Sequence, residues 1–448
     1  MGKIAFVKKN QNELIAFNKE TLDFYVVEPI VKKVYEGILS DGYEKSKSKF
    51  DISEEDFDSI YEELFINEKK ENIEYIGKKE NSGKTLERLV LNVTNVCNLK
   101  CAYCYACGGS YQSDEGVMSL DTAIKSIDTF YGYFDHIELL QFFGGEPLIN
   151  LEVIEGVCKH IIEKNKLGKI KTLPMFGICT NGTLLNEKAI DIIEKYNINV
   201  TASVDGAKNI HDLNRYYNCG EGTYDIIIKN LNALYKRTGQ PTTIEVTYNQ
   251  RHVMQGISIK DIVEHLNPMF PTTAFHIVPV STENDQLKLK NRDAFIDSVD
   301  DIFDTLEKDT AYTYSLVQRL IDALRYKRYS DFICPAGLGT LSVDIKGNIY
   351  PCFMFTDIEN LKMGNVYEID VFTGERLKKI QNLFLENDKA SDEKCKDCLL
   401  QRFCCGCHGM NYFNNKKIGN YEENFCNMNI QMAQKVLIDL SDYVDRIS

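Results

Sequence analysis

The sequence predicts an α/β protein whose parallel sheet curves into a partial (β/α)6 barrel, and three observations carry that expectation. From about residue 86, apolar strand-like runs alternate with amphipathic helical runs, the pattern that produces a parallel sheet. Six such units are present, fewer than the eight of a closed barrel, so the barrel should stay open. After a long helical stretch the alternation stops, and residues 331–448 are loop-rich and studded with cysteine, as expected where metal clusters replace a core.

Taken in order, IAFVKK, ELIAF and FYVVE read as short strands. PIVKKVYEGIL places Ile30, Val34 and Ile38 on one helical face. A second helix follows Ser53, with Asp56 completing a capping-box pattern and Phe57, Ile60, Tyr61 and Leu64 as its apolar stripe. Residues 1–80 therefore read as a small separate unit, and three strands with two or three helices resemble a winged helix. Winged helices usually suggest DNA. Here residues 1–85 hold 14 Lys and no Arg against 18 Asp plus Glu, an acidic balance that argues against phosphate binding. KKENIEYIGKKENSGKT reads as a linker. RLVLNVT, IELLQFFG, MFGICTN, NVTASVD, TIEVTYN and AFHIVPV are the six barrel strands, with helices at 120–134, 150–165, 186–196 and 223–237 between them. The barrel should span 86–290, a helical bridge 291–330 and the cysteine-rich region 331–448. In such architectures chemistry sits at the C-terminal ends of the strands.

Composition narrows the function. A formal charge of −14 argues against a nucleic-acid partner. No run of eighteen uncharged apolar residues occurs, which removes a transmembrane helix, and MGKIAFVKKNQNELIAF lacks a signal-peptide pattern. The expectation is a cytoplasmic protein with no membrane partner. Seven histidines are few and scattered, whereas fifteen cysteines are many and clustered. Cytosolic thiols stay reduced, so clustered cysteines point to zinc or iron–sulfur ligation rather than disulfides.

Cys97, Cys101 and Cys104 stand in CNLKCAYC just after the strand LVLNV. Three thiolates so spaced suit three irons of a [4Fe–4S] cube and leave the fourth iron open to a substrate or cofactor. A zinc knuckle short of a ligand and plain buried cysteines are the alternatives. Cys107 stands nearby, either as a fourth ligand or as a free thiol.

CNLKCAYC, with Tyr103 before its last cysteine, resembles the signature of the radical S-adenosylmethionine (SAM) superfamily. Further features of that family recur at later strand ends. Gly144, Gly145, Glu146 and Pro147 form a GGEP motif after IELLQFF, which in the family holds the methionyl amino group. Glycine lets backbone approach a ligand closely, and Glu146 can accept from an ammonium. Asn181 in TNG, and Ser203 and Asp205 in SVDG, follow the next two strands, where the family places ribose and methionine contacts. Arg215, in HDLNR, suits the methionine carboxylate through its fork of donors. Capping or a surface ion pair is the other reading of Asn181, Asp205 and Arg215. The resemblance implies S-adenosylmethionine as cofactor, and hydrogen abstraction by a 5′-deoxyadenosyl radical from an unactivated carbon.

Cys334, Cys352, Cys395, Cys398, Cys404, Cys407 and Cys426 resemble the SPASM extension, which carries two auxiliary [4Fe–4S] clusters, making three in all. The resemblance assigns Cys395, Cys398, Cys404 and Cys426 to an outer cluster, and Cys334, Cys352 and Cys407 to an inner one. Two residues rather than the family's usual three separate Cys404 from Cys407, and Cys405 competes with Cys407. Two zinc ribbons are the other reading. Cys158 and Cys179 read as small buried hydrophobes, and Cys219 as a loop residue.

The whole layout resembles maturases of ribosomally made peptides, above all the sactipeptide-type maturases of six-cysteine (SCIFF) peptides. Those enzymes join a cysteine sulfur to the backbone α-carbon of another residue, often Thr. The resemblance implies a precursor peptide whose leader binds residues 1–80 by adding a strand to a sheet edge. It also implies an external reductant such as flavodoxin or ferredoxin, and an open inner iron that holds the substrate thiolate. A formylglycine-forming sulfatase-type maturase and a non-enzymatic electron carrier are the competing classes.

Overall fold

The computed structural model describes residues 2–66, 74–75, 84–111, 113–271, 273–305, 312–404 and 406–447. Strands β1 (Ile4–Lys8), β2 (Leu14–Asn18) and β3 (Phe24–Val27) form an antiparallel meander with β2 in the centre. Strand alternation gives this sheet two apolar faces. Ile15 and Phe17 join the main core, and Phe17 meets Phe403 edge-on at 5.9 Å. Ala16 turns the other way and packs with Tyr35 of the following helix, Pro29–Asp41. That helix starts on a proline, whose fixed φ suits a first turn, and ends at Gly42. The helix Glu54–Tyr61 begins where the capping pattern placed it, with Ser53 Oγ accepting from Asp56 N at 3.0 Å. Most of the expected linker lies outside the described residues. Its strand β4 (Glu74–Tyr75) pairs in parallel with β11 (Arg328–Tyr329).

The barrel strands are β5 (Thr85–Thr94), β6 (His136–Gly144), β7 (Met175–Thr180), β8 (Asn199–Ser203), β9 (Thr243–Tyr248) and β10 (Ala274–Pro279). They lie side by side in chain order, all parallel. Helices Leu120–Tyr133, Leu151–Lys166, Glu187–Tyr196 and Tyr224–Thr238 cover the outside. Phe176, Ile178, Val200, Ala202, Ile244, Val246, Phe275 and Ile277 fill the layer between strands and helices. The alternate residues, including Cys179, Thr201, Ser203, Glu245, Thr247 and His276, are less buried and line the open inside.

The sheet does not stop at six strands. β12 (Thr340–Val343) pairs in parallel with β5, and β13 (Asn348–Tyr350) and β14 (Gly364–Asn365) follow antiparallel. The cysteine-rich region therefore grows out of the barrel edge. β12 escapes a reading of the sequence because its four residues are buried on both faces and show no alternation. Helices Asp293–Phe303 and Ser315–Arg325 form the bridge, and the C-terminal helix Glu423–Ile447 packs across them. None of the described helices is long and apolar enough to cross a membrane.

Candidate active site

The site starts where β5 and β6 end. Gly145 N donates to Thr94 O and Glu146 N to Val96 O, both at 2.9 Å, so the GGEP turn lies along the chain entering the cysteine loop. A Cβ on Gly144 would stand 1.9 Å from Thr94 O, and one on Gly145 would stand 2.2 Å from Val96 O. Only glycine allows backbone to meet backbone so closely. Glu146 is fully buried and accepts from Asn181 N (2.7 Å), Leu148 N (3.0 Å) and Thr180 Oγ1 (2.7 Å). Burial pushes its carboxyl above the usual range, while those three donors and Arg215 oppose the shift. The carboxylate is thus engaged by the ends of β6 and β7. It braces the turn, and any ligand beside residues 144–146 meets mostly backbone.

Asn181 is engaged as well. Its Nδ2 donates to Asn98 Oδ1 at 2.9 Å and approaches Cys97 Sγ at 3.8 Å, while its Oδ1 accepts from Thr183 N and Oγ1. It fixes the start of the cysteine loop. The middle of that loop is tied down by Lys100 N donating to Tyr216 O and Ala102 N donating to Asn214 O, each at 2.8 Å. Leu99 N and Gly108 N point at Cys97 Sγ and Cys104 Sγ.

Burial pushes Cys97 up to about 12, and Glu146, Cys101 and Cys104 add to that. Burial takes Cys101 to about 11 against the pull of Arg215. None of the fourteen described cysteines is in a disulfide. Neighbouring thiols that resist ionisation alone but become thiolates beside a metal are the donor set of a metal cluster. Among the described residues no three His, Cys, Asp or Glu side chains converge on one ion position. A cube places no such demand, because each thiolate takes a different iron.

Across the barrel mouth stands a charged relay. Arg215 Nη1 donates to Tyr103 Oη, and Tyr103 donates to Asp205 Oδ2, both at 2.7 Å. Arg215 is 8% exposed, and its Nε is buried with no partner. A buried guanidinium with an idle donor suits an anionic ligand such as the methionine carboxylate. Asp205 is held by His252 Nε2 at its carbonyl (2.9 Å) and by Thr247 N at Oδ1 (3.3 Å). Ser203 ends β8 on the inward face, and its hydroxyl has no hydrogen bond among the described residues.

In the C-terminal region two thiol groups form. Cys334, Cys352 and Cys407 are mutual neighbours; burial pushes Cys334 to about 12 and Cys352 to about 11, with Cys407 adding to both. Cys395, Cys398 and Cys426 make the second group, and burial, Asp392 and the two other thiols raise Cys395 to about 12. Tyr421 lies between the groups, near Cys334, Cys404, Cys395 and Cys407, and hydrogen-bonds His408 Nδ1 at 2.7 Å. Cys405 lies outside the described residues. Cys107 and Cys219 are exposed, and Cys158 is buried in its helix. Cys179 departs from the expected core role. It faces inward and receives a hydrogen bond from Gln141 Nε2 at 3.0 Å, because β7 presents it to the barrel interior.

A polar lining joins these centres. Arg88 donates to Gln141 (3.4 Å), Gln141 reaches Cys179, and Cys179 adjoins Thr201 and Glu245. Burial raises the Cys407 thiol, and Arg319 and Arg88 oppose that shift, so their positive charges reach from the lumen to the inner thiol group. The residues that reading the sequence missed here (Arg88, Gln141, Glu245, His276 and Arg319) left a usable signal in three cases. Gln141, Glu245 and His276 are polar positions in otherwise apolar strands.

The chain matches the radical SAM superfamily over residues 91–268 and the SPASM iron–sulfur cluster-binding domain over residues 334–399. It is 30% identical to an uncharacterized protein, MJ0907, of Methanocaldococcus jannaschii, over 49% of this chain and 81% of that one. It is 24% identical to a cysteine-type anaerobic sulfatase-maturating enzyme of Clostridium novyi, over 72% of this chain and 88% of that one. In fold it resembles native anSMEcpe with bound AdoMet and Cp18Cys peptide (TM-score 0.67, 18% identity, 81% of this chain and 100% of that one). It also resembles Streptococcus suis SuiB bound to its precursor peptide SuiA (TM-score 0.52, 16% identity, 95% of this chain and 100% of that one). The chain therefore belongs to the radical SAM superfamily, uses S-adenosylmethionine with a [4Fe–4S] cluster, and binds further iron–sulfur clusters through its SPASM domain.

Proposed function

We propose that this chain modifies a ribosomally made precursor peptide, joining a cysteine sulfur to the backbone α-carbon of a second residue, with Thr as the expected acceptor. In this reading Cys97, Cys101 and Cys104 hold the cube that meets the cofactor. Arg215 takes the cofactor's carboxylate, Ser203 its ribose, and the backbone at Gly144–Glu146 its amino group, while Glu146 and Asn181 keep that turn and the loop in place. Cys395, Cys398, Cys404 and Cys426 hold the outer auxiliary cluster, and Cys334, Cys352 and Cys407 the inner one. Bound together, the first cluster and S-adenosylmethionine supply an oxidant able to take a hydrogen atom from an unactivated carbon.

The observation that carries the reading is the polar lining from Arg215 past Glu245, Cys179 and Arg88 to the inner thiol group. A peptide threaded there has one residue beside the cofactor and another beside Cys352 and Cys407. Cys334, Cys352 and Cys407 gather at that inner wall, and in this reading a cysteine of the substrate joins them. The peptide-bound SuiB and anSMEcpe structures, which share this fold, support a peptide substrate. The leader is read by residues 1–80, whose outer strand β3 pairs on one side only among the described residues and carries an exposed Tyr25. Electrons come from a small reductant protein such as flavodoxin or ferredoxin.

The test is to co-express the chain with a short cysteine-rich precursor and weigh the product. A thioether makes the peptide two hydrogens lighter and protects one cysteine from alkylation. The likeness to sulfatase-maturating enzymes favours a second reading, conversion of a cysteine to formylglycine. An aldehyde reactive to hydrazide in place of the thioether would establish it.

A further inference from the structure

Glu245 sits in the middle of β9 on the inward face, in register with Ser203 of β8 on one side and His276 of β10 on the other. Its carboxylate has no hydrogen bond or ion pair among the described residues. The charged and titratable groups around it are Arg215, Asp205, Cys179 and His276. The other candidate bases of the lumen are already occupied. Glu146 accepts three hydrogen bonds, and Asp205 serves Tyr103 and Thr247. His276 is bonded to Ser315 Oγ at 2.6 Å, and burial, with Arg319 and Arg88, pushes it down to about 4. Glu245 is left as the idle carboxylate between the cofactor side and the thiol side. Burial holds its proton affinity above the usual range, Arg215 opposing and Asp205 adding.

We propose that Glu245 is a catalytic residue that takes the thiol proton of the substrate cysteine as the peptide is oxidised. The inference rests on the peptide reading above. Forming C–S from C–H and S–H removes two hydrogens. One leaves carbon as an atom, to the radical that the bound cofactor supplies. The other leaves sulfur as a proton, to Glu245. The electron left over goes to an iron–sulfur cluster of the SPASM domain. A thiol ionises near pH ~8.5 when free, so whether its sulfur stays free or is taken up beside the inner thiols its proton needs an acceptor at neutral pH, and a carboxylate of raised pKa is better matched to that task than an ordinary one.

The experiment uses the reconstituted holoenzyme with one cysteine-containing precursor and compares wild type, Glu245→Gln and Glu245→Asp. Modified peptide, 5′-deoxyadenosine and peptide affinity are measured across pH. Glu245→Gln is expected to lower the ratio of modified peptide to 5′-deoxyadenosine about 100-fold at neutral pH, with recovery as pH passes the thiol's own value near ~8.5. Glu245→Asp should restore part of the ratio. An unchanged ratio, a pH-independent deficit, or a loss fully explained by weaker peptide or cofactor binding would overturn the assignment. The identity of the wild-type product is a separate readout. Formylglycine would refute the thioether reading yet leave the Glu245 ratio decisive, because oxidising cysteine to a thioaldehyde sheds the same S–H proton.

Discussion

Around Cys97–Cys104 every turn is anchored to the sheet or to a neighbouring loop. The GGEP turn bonds the entering strand, Asn181 bonds the first loop residues, and residues 214–216 bond the middle. Around Cys395–Cys426 the turns that carry the thiols are capped locally, and the ties to the rest of the chain fall between them, where Ser330 N donates to Arg402 O at 2.8 Å and Arg402 Nη1 to Asp331 Oδ1 at 2.6 Å. Asp392 caps a four-residue helix, accepting from Lys394 N at 2.9 Å and Cys395 N at 3.3 Å, and Cys398 N turns back to Cys395 O. The difference teaches what each region asks of its metal. The barrel loop is bonded to the sheet and to its neighbouring loop, whereas the outer thiols sit on short local turns and stand to gain more of their shape from a cluster.

Two triple substitutions give the sharpest test. Replacing Cys97, Cys101 and Cys104 with Ala should remove about a third of the bound iron and all 5′-deoxyadenosine release, with little change in thermal unfolding. Replacing Cys395, Cys398 and Cys426 should remove a similar share of iron, keep some 5′-deoxyadenosine release and lower the unfolding temperature most. Equal losses of stability would end the distinction between a preshaped and a metal-shaped site.

The next effect breaks the preshaped site itself. Gly144→Ala puts a methyl group 1.9 Å from Thr94 O at a φ of +135°. The expected cost is about 4 kcal/mol or more, read by chemical denaturation, with loss of iron from the first site. A smaller effect reports on the other region. Phe17 is fully buried and lies against Phe403, between Cys398 and Cys404 in sequence. Phe17→Ala should cost about 3 kcal/mol and make the outer group easier to strip with a chelator. If chelation rates stay unchanged, that sheet does not support the outer thiols.

The smallest effect is electrostatic. Asp439, on the C-terminal helix, is raised to about 6 by burial and by Asp300, with Lys435 opposing and Asp442 and Asp304 adding. Its folded pKa lies above its unfolded value near ~3.9, so the folded form binds the proton more tightly. The group's contribution is best below about pH 4 and is lost as pH rises through about 6. Asp439→Asn should therefore stabilise the protein at pH 7.5 by about 1 kcal/mol after allowing for solvent screening, and by almost nothing at pH 4. Melting curves at both values decide it.

The barrel was legible in the sequence because its strands alternate with amphipathic helices, and the thiol positions because cysteine spacing is local. Ser53 announced its helix for the same local reason. What escaped were contacts joining residues far apart in the chain. Glu146 could be read as an ammonium acceptor, but not as the brace between β6 and β7 that Thr180 and Asn181 make it. Cys179 could be read as core until β7 was seen to turn it inward. The pairing of β12 with β5 links residues some 250 positions apart, and a four-residue strand buried on both faces carries no period to announce it.

That pairing has a consequence for how the molecule can be cut. β5 holds the central apolar run Leu89–Leu91, and β12 covers its free side along four register pairs from Thr340↔Arg88 to Val343↔Leu91. Ending the chain before residue 331 would leave β5 as an open edge, a row of unpaired backbone donors and acceptors flanked by apolar side chains. Such an edge recruits strands from other molecules. The barrel freed of its cysteine-rich partner should therefore be lost to aggregation rather than survive as a smaller enzyme.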